Sequence, residues 1–290
     1  MNISESDKRQ FRSFQRDEIT EYHIYRRLAQ KTKNEANRRI LLQIAEDELR
    51  HYNEWKTVTE TDVRPNSSKV RKYAWITRLL GLTFGVKLME AGEAGAQQNY
   101  SEYEAVFAPA GQMAAEENDH EQELINLLDE ERLQYTGSVV LGLNDALVEL
   151  TGALAGLTLA LRDTGLIALT GSITGIAAAF SMAASEYLST KSEDTEKHPA
   201  KASVYTGVAY IFTVIILIIP YLIFQNYFVC LGVTLALGIG IIAAFNYYIS
   251  VAKDLNFRKR FIEMTGLSLG VAAISFLIGF LLRHFTGIEI

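Results

Sequence analysis

Five long apolar runs fill the second half of the chain and constrain its fold more than any other feature. Each is long enough to cross a hydrocarbon core of about 30 Å as an α-helix. The runs are Val139–Leu161, Leu166–Leu188, Val204–Phe224, Tyr227–Val251 and Phe261–Leu282. Because lipid cannot satisfy backbone polar groups, a spanning segment must satisfy them itself, and the sequence predicts five transmembrane helices.

The basic residues between these runs predict the orientation. The joints Ser189–Ser203 and Ala252–Arg260 hold seven Lys and Arg residues, whereas the other joints and the C-terminal tail hold only Arg162 and Arg283. Basic joints stay in the cytoplasm. The first thirty residues also contain no apolar stretch of signal-peptide length. We therefore expect an integral protein of the cell membrane with its N-terminal part in the cytoplasm and its C-terminus outside.

The first half has the opposite character, because residues 1–137 hold 24 of the 34 acidic and 19 of the 28 basic residues. A net charge of −6 argues against a nucleic-acid partner. The single Cys230 excludes a disulfide framework and a cysteine-built zinc or iron–sulfur site. Helix-forming composition predicts a bundle of four helices. Their expected ranges are Glu5–Lys31, Glu35–Thr59, Val70–Val106 and Gln112–Tyr135.

The predicted fold is therefore all-α, with a four-helix bundle in residues 1–135 followed by a five-helix membrane domain in residues 136–290. Each bundle helix carries two acidic or histidine side chains three residues apart, and such pairs project from one helix face. The pairs are Glu18 and Glu21, Glu48 and His51, Glu90 and Glu93, Glu117 and His120. One Glu from each of two helices and Glu-x-x-His from each of the other two form the ligand pattern of dimetal carboxylate bundles. The spacing predicts a dinuclear metal site.

A solvated charged face is the alternative, since one Glu-x-x-His arises easily by chance in so acidic a region. Two of the three histidines here show the motif, on the two helices where the pattern requires it. Glu90 and Glu93 also lie among apolar and small residues, where unpaired acids are costly. These observations favour the metal site.

On this pattern, residues 1–135 resemble the rubrerythrin branch of the ferritin-like superfamily. Tyr25 and Tyr100, each seven residues after a Glu of a pair, add to the similarity. The resemblance implies a ferritin-like bundle with a dinuclear iron site, manganese being the other candidate. The ligands that it implies are Glu18, Glu48, His51, Glu90, Glu93, Glu117 and His120, with Glu21 added because it mirrors the second Glu pair. Rubrerythrins also carry a Cys-ligated rubredoxin module, which one cysteine cannot form, so their usual electron supply is missing.

Acidic residues also occur inside the first two predicted spans. Asp145 and Glu149 lie one helical turn apart in GLNDALVE, and Met182 and Glu186 are spaced likewise in SMAASEYLS. A carboxylate in lipid is costly unless it faces a cavity or a partner. Carboxylates with a thioether suit a divalent transition metal. The alternative is that these acids lie near helix ends, reach the interface or pair with a base.

These two motifs resemble the vacuolar iron transporter family, five-span dimeric proteins that move ferrous iron and manganese out of the cytosol. The resemblance covers residues 137–290 and implies export in exchange for protons. By this resemblance, the residues that contact the transported metal are Asp145, Met182 and Glu186, and less directly Asn144 and Glu149. Plant and fungal members also carry a Glu-rich insertion between spans two and three, whereas the joint here is only STKSEDTEKHPAKAS.

Taken together, the two resemblances predict a homodimeric exporter of Fe²⁺ or Mn²⁺ whose bundle, lying at the cytoplasmic mouth without a flexible linker, collects, oxidises or senses the metal. Ferroxidase or peroxidase activity of the bundle stays open. One alternative is a membrane-anchored diiron oxidase or peroxide-reducing enzyme without transport. Another is a manganese exporter with iron only in the bundle, because carboxylate and thioether ligands do not separate the two ions.

Overall fold

The computed structural model describes residues 4–89, 100, 102–126, 135–193, 197–253 and 255–286. All secondary structure in this described part is helical, in ten helices. The chain divides into two compact units, Met1–Glu130 and Glu131–Ile290. The fold is thus all-α, as predicted.

The first unit contains the helices α1 to α5. Their ranges are Glu5–Ala29 for α1, Glu35–Thr59 for α2, Ser67–Leu80 for α3, 82–89 for α4 and Pro109–Asn126 for α5. Helix α1 packs against α2 and α3, and α2 packs against α5. The apolar core between them includes Ile24, Leu41 and Ile44.

Local sequence signals set the ends of α2 at the predicted residues. The side chain of Asn34 accepts hydrogen bonds from the backbone N–H groups of Ala36 and Asn37, at 2.9 and 3.2 Å, and so caps the first turn. Glu60 ends the helix in the left-handed conformation, with φ of 53°.

The predicted third helix, Val70–Val106, is wrong as a continuous element, because the structure interrupts it at Gly81. Gly81 has φ of 99° and ψ of 160°, outside the helical region. The interruption brings α4 close to the end of α3, where a Cβ atom on Gly85 would lie 2.1 Å from Thr77 Cγ2. Residues 90–99, which include the rest of this predicted helix around Glu90 and Glu93, lie outside the described residues.

The second unit contains the five predicted spans, each long and apolar enough to cross a membrane. Their ranges are Thr136–Leu161 for α6, Thr164–Ser192 for α7, Pro199–Ile223 for α8, Tyr227–Lys253 for α9 and Phe257–Thr286 for α10. All five extend beyond the predicted apolar runs because polar residues continue the helix at one or both ends. Helix α6 packs against α8 and α10, and α7 packs against α8.

A glycine in α6 permits its close approach to α8. A Cβ atom on Gly142 would lie 2.4 Å from the backbone oxygen of Thr206, so only glycine fits there. The hydroxyl of Thr206 donates to the backbone oxygen of Ser138 at 2.9 Å. This contact fixes the first turns of α6 beside α8, next to the membrane acids described below.

Candidate metal centre

Helices α1, α2 and α5 bring four predicted ligands together inside the first unit. Glu18, Glu48, His51 and Glu117 each offer one ligand atom, and these atoms all lie within 4.8 Å of one another. Glu18, Glu48 and His51 are at most 1% exposed. The spacing of three therefore marks an inward face, and the solvated-face alternative does not describe these residues.

The distances centre on the Nδ1 atoms of the two histidines. His51 Nδ1 lies 3.3 Å from Glu117 Oε1, 3.6 Å from Glu18 Oε2 and 3.9 Å from Glu48 Oε2. His120 Nδ1 lies 3.6 Å from Glu48 Oε1 and 3.9 Å from Glu117 Oε2. Glu48 and Glu117 thus each direct one carboxylate oxygen toward each imidazole.

The donor atoms fit a divalent cation. Among the residues that the structure describes, the buried atoms Glu18 Oε2, Glu48 Oε2, His51 Nδ1 and His120 Nδ1 have no hydrogen-bond partner, although buried polar atoms normally have one. Burial, together with the charges of Glu117 and Glu18, raises the pKa of Glu48 well above its ordinary value. A metal ion would both satisfy these atoms and neutralise the carboxylates.

The other nitrogen of each histidine is held by an acid that the sequence analysis did not single out. His51 Nε2 lies 2.8 Å from Glu116 Oε2, and His120 Nε2 lies 3.2 Å from Asp47 Oδ2. Each acid directly precedes a ligand Glu on the opposite helix. Arg50 lies 2.7 Å from Asp47 and 2.9 Å from Glu116 and so joins the two carboxylates. Such outer partners orient metal-binding imidazoles.

Charges around the cluster shift the pKa values of its members. Burial lowers the pKa of His51, but the surrounding carboxylates of Glu117 and Glu18 outweigh burial and raise it to about 11. Burial raises the pKa of Glu117, but His120 and His51 together lower it below its ordinary value. The pKa values of His51 and Glu117 therefore shift in opposite directions, as expected for an imidazole among carboxylates.

Two buried aromatic side chains hold the second oxygen of Glu18. The indole Nε1 of Trp55 and the hydroxyl of Tyr100 donate to Glu18 Oε1 at 3.2 and 2.7 Å. The Trp55 ring packs against Phe11 and Phe14. Glu18 Oε2 is thereby left facing the cluster. Trp55 was not predicted, since an indole in an apolar pattern carries no sign of its hydrogen bond.

The remaining predicted ligands of this site lie elsewhere or are not described. Glu21 is buried, and its Oε1 lies 3.3 Å from Lys69 Nζ, so it is not one of the four converging residues. Glu90 and Glu93 lie outside the described residues.

In the membrane unit, the predicted acids form two separate contacts. Asp145 and Glu149 are four residues apart on α6 and therefore lie on the same helix face. Glu149 Oε2 in turn accepts from the hydroxyl of Tyr210 on α8 at 2.9 Å. Glu186 Oε1 accepts from the hydroxyl of Ser138 at 2.5 Å. Tyr210 and Ser138 were not predicted, and both are buried in the structure.

The other path residues lie near these contacts. Met182 is half-buried and packs against the apolar core of the unit, and Asn144 is half-buried beside Asp145. The Glu149 side chain is exposed in the single chain and lies about 20 Å from the start of α6. In the described part of one chain, Asp145, Glu149 and Glu186 do not converge on a single metal-sized site.

Comparison with known proteins supports the membrane unit. Residues 136–197 match the VIT family, and this range contains both GLNDALVE and SMAASEYLS. No curated protein and no solved structure matches the chain. With the five apolar helices, the match supports a VIT-type membrane domain and hence an integral membrane transporter of metal ions. The resemblance of residues 1–135 to rubrerythrins stays a prediction.

Proposed function

We propose that the protein exports Fe²⁺, or Mn²⁺, from the cytoplasm in exchange for protons, and that its first unit binds the same metal before export. The observation that carries this proposal is the buried cluster of Glu18, Glu48, His51 and Glu117 on the same chain as a VIT-type membrane domain. An ordinary anchor would need neither five spans nor acids within them.

The first unit would hold the metal through the four converging residues together with His120. Iron bound there would supply one-electron redox chemistry. The protein's own contribution is to fix the ligand atoms, with Arg50, Asp47 and Glu116 orienting the imidazoles. Collecting, oxidising or sensing the metal are all compatible with such a site.

In the membrane unit, Asp145, Glu149 and Glu186 would exchange protons for metal, since a carboxylate must lose its proton to bind a cation. Met182 and Asn144 would add softer and neutral ligands along the path. We also propose a homodimer, in line with the resemblance of the membrane unit to a dimeric transporter family. We propose that the soluble unit faces the cytoplasm, in line with the basic joints.

The test is transport into proteoliposomes with an acidic interior, with Fe²⁺ kept reduced or Mn²⁺ added outside. Molecules whose cytoplasmic face points outward should take metal up while protons leave. Asp145→Asn and Glu186→Gln should abolish uptake. Glu263→Gln, which changes an exposed acid on α10 with no role in the proposal, should keep it.

A second variant pair separates the first unit from the path. His51→Gln combined with His120→Gln should remove metal binding by the cluster and change the dependence of uptake on metal concentration. His23→Gln, at the exposed histidine of α1, is the matched control. Unchanged uptake in the double variant would refute collection or sensing by the first unit. Absence of flux for both metals, from protein whose cluster still binds iron, would refute the exporter and favour a membrane-anchored diiron enzyme.

A further inference from the structure

Charge is strongly segregated within the acidic first unit. Residues 22–33 and 63–89 together contain ten Lys and Arg residues and no Asp or Glu. These segments form the second half of α1, all of α3 and α4, and the residues flanking them, and α1 packs directly against α3. The unit therefore carries one cationic region although its overall charge is negative.

Part of this region is a groove of about 980 Å³ between α1 and α3. Its cationic lining residues are Arg26, Arg27, Lys31 and Arg71. All four side chains are exposed. A groove with this lining attracts negatively charged groups.

In the described part of the chain, these four cations have no carboxylate partner. Arg26 stacks over the ring of Tyr22 and donates to its hydroxyl, and Arg71 Nε donates to the backbone oxygen of Ser67 at 3.3 Å. Lys69 on the same helix differs, since it lies 3.3 Å from Glu21 and 3.9 Å from Asp17. The groove thus keeps its positive charge.

Helix α3 adds exposed apolar side chains to the cationic ones. It buries Tyr73 and Ala74, while Trp75 is 60% and Leu79 is 66% exposed. The guanidinium of Arg78 lies 5.6 Å from the centre of the Trp75 ring. Arg71, Lys72, Trp75 and Arg78 follow the spacing of one helix face. An exposed indole among cations is typical of helices that lie in the membrane interface.

We propose that this basic face, formed by Arg27, Lys31, Arg71, Lys72, Trp75 and Arg78, binds anionic lipid headgroups of the bilayer that the five spans cross. Lipid phosphates neutralise the unpaired cations, and the indole enters the boundary between headgroups and acyl chains. A lipid surface accommodates both kinds of side chain, whereas a nucleic acid would neutralise the cations but leave the exposed Leu79 in water. Because the first unit is part of an integral membrane chain, a lipid surface is always near it.

The experiment uses the full chain in nanodiscs with brominated acyl chains, which quench only tryptophans that reach the lipid. The chain has two tryptophans, and Trp55 is fully buried, so the difference between the wild type and Trp75→Phe isolates Trp75. One disc type is pure phosphatidylcholine and the other includes phosphatidylglycerol. We expect Trp75 to be quenched in the anionic discs and to lose most of that quenching at high salt, since salt screens lipid attraction.

Charge variants localise the effect. The triple change Arg71→Gln, Lys72→Gln and Arg78→Gln should remove the quenching. Arg9→Gln, Arg12→Gln and Arg39→Gln together alter the charge equally at exposed positions outside the basic face, and should keep it.

Four results would overturn the proposal. One result would be that acrylamide, a water-soluble quencher, still quenches Trp75 in anionic discs, because Trp75 would then face water. A second result would be that neither acrylamide nor brominated lipid quenches Trp75 in any disc. Protein, either this chain or a second copy, would then cover Trp75. Equal quenching in both disc types would refute recognition of anionic headgroups, and equal loss in the two triple variants would refute the location of the binding face.

Discussion

Glu116 offers the sharpest test of the metal centre, because it holds a ligand without being one. Its Oε2 lies 2.8 Å from His51 Nε2 and 2.9 Å from Arg50. Burial raises the pKa of Glu116, but the bonds from His51 and Arg50 outweigh burial and lower the pKa to about 2. The carboxylate is therefore ionised at neutral pH and stabilises the imidazole in one orientation.

We expect Glu116→Gln to weaken metal binding without unfolding the protein. Glutamine keeps the shape and one acceptor oxygen but removes the charge that strengthens both bonds. A hydrogen bond with a charged group contributes about 1.5–3 kcal/mol. The Glu116 side chain is 25% exposed, so water compensates part of this loss. Outer partners of metal-binding histidines typically change affinity by about 10–100-fold, or about 1.4–2.7 kcal/mol.

The assay is an anaerobic titration of the purified full chain with Fe²⁺, in which calorimetry measures the affinity. The matched control is Glu54→Gln, since Glu54 lies 3.9 Å from the same Arg50 but is not a partner of His51. The control should bind Fe²⁺ as the wild type does. Affinity within about threefold of wild type in folded Glu116→Gln, or an equal loss in the control, would refute the orienting role.

Two further predictions concern buried contacts. Trp55→Phe keeps an aromatic ring beside Phe14 but removes one of the two hydrogen bonds to Glu18 Oε1. The same titration should therefore show Fe²⁺ binding weakened about tenfold or more. Unchanged affinity would contradict this prediction. Gly142→Ala should destabilise the membrane unit by about 1–3 kcal/mol, because its methyl group would meet a backbone oxygen at 2.4 Å. Thermal unfolding in detergent measures this, and Gly232→Ala, with no atom within 4 Å of the added methyl, is its neutral control.

Periodicity and capping residues made much of the fold predictable. The spans follow from apolar length alone, and Asn34 marks the start of α2 because its side chain caps the turn that follows it. The interruption at Gly81 was not predictable in the same way. A glycine is tolerated within a helix, so the sequence alone does not mark Gly81 as an end. The non-helical φ of Gly81 depends on how α4 packs against Thr77, which is a tertiary contact.

The candidate site shows the same division between local and tertiary information. Glu48, His51 and Glu117 were found because a spacing of three puts ligands on one helix face. Asp47 and Glu116 were missed, since an acid beside a Glu in a charged helix has the pattern of a solvated face. A signal did exist: both Glu-x-x-His motifs are preceded by an acid. Only the packing of α2 against α5 reveals that each acid reaches the histidine of the other helix.

This crossed arrangement gives the acid before each motif, Asp47 or Glu116, the same role. With Glu116 and Asp47 taking the Nε2 atoms, each histidine has only Nδ1 left to bind a metal, and both Nδ1 atoms are buried next to Glu48 and Glu117. The duplication is not complete, however. Arg50 stands between Glu48 and His51, whereas the equivalent position on α5 is Asp119. One guanidinium therefore joins both outer carboxylates, so the orientation of the two imidazoles is coupled through a single side chain on α2.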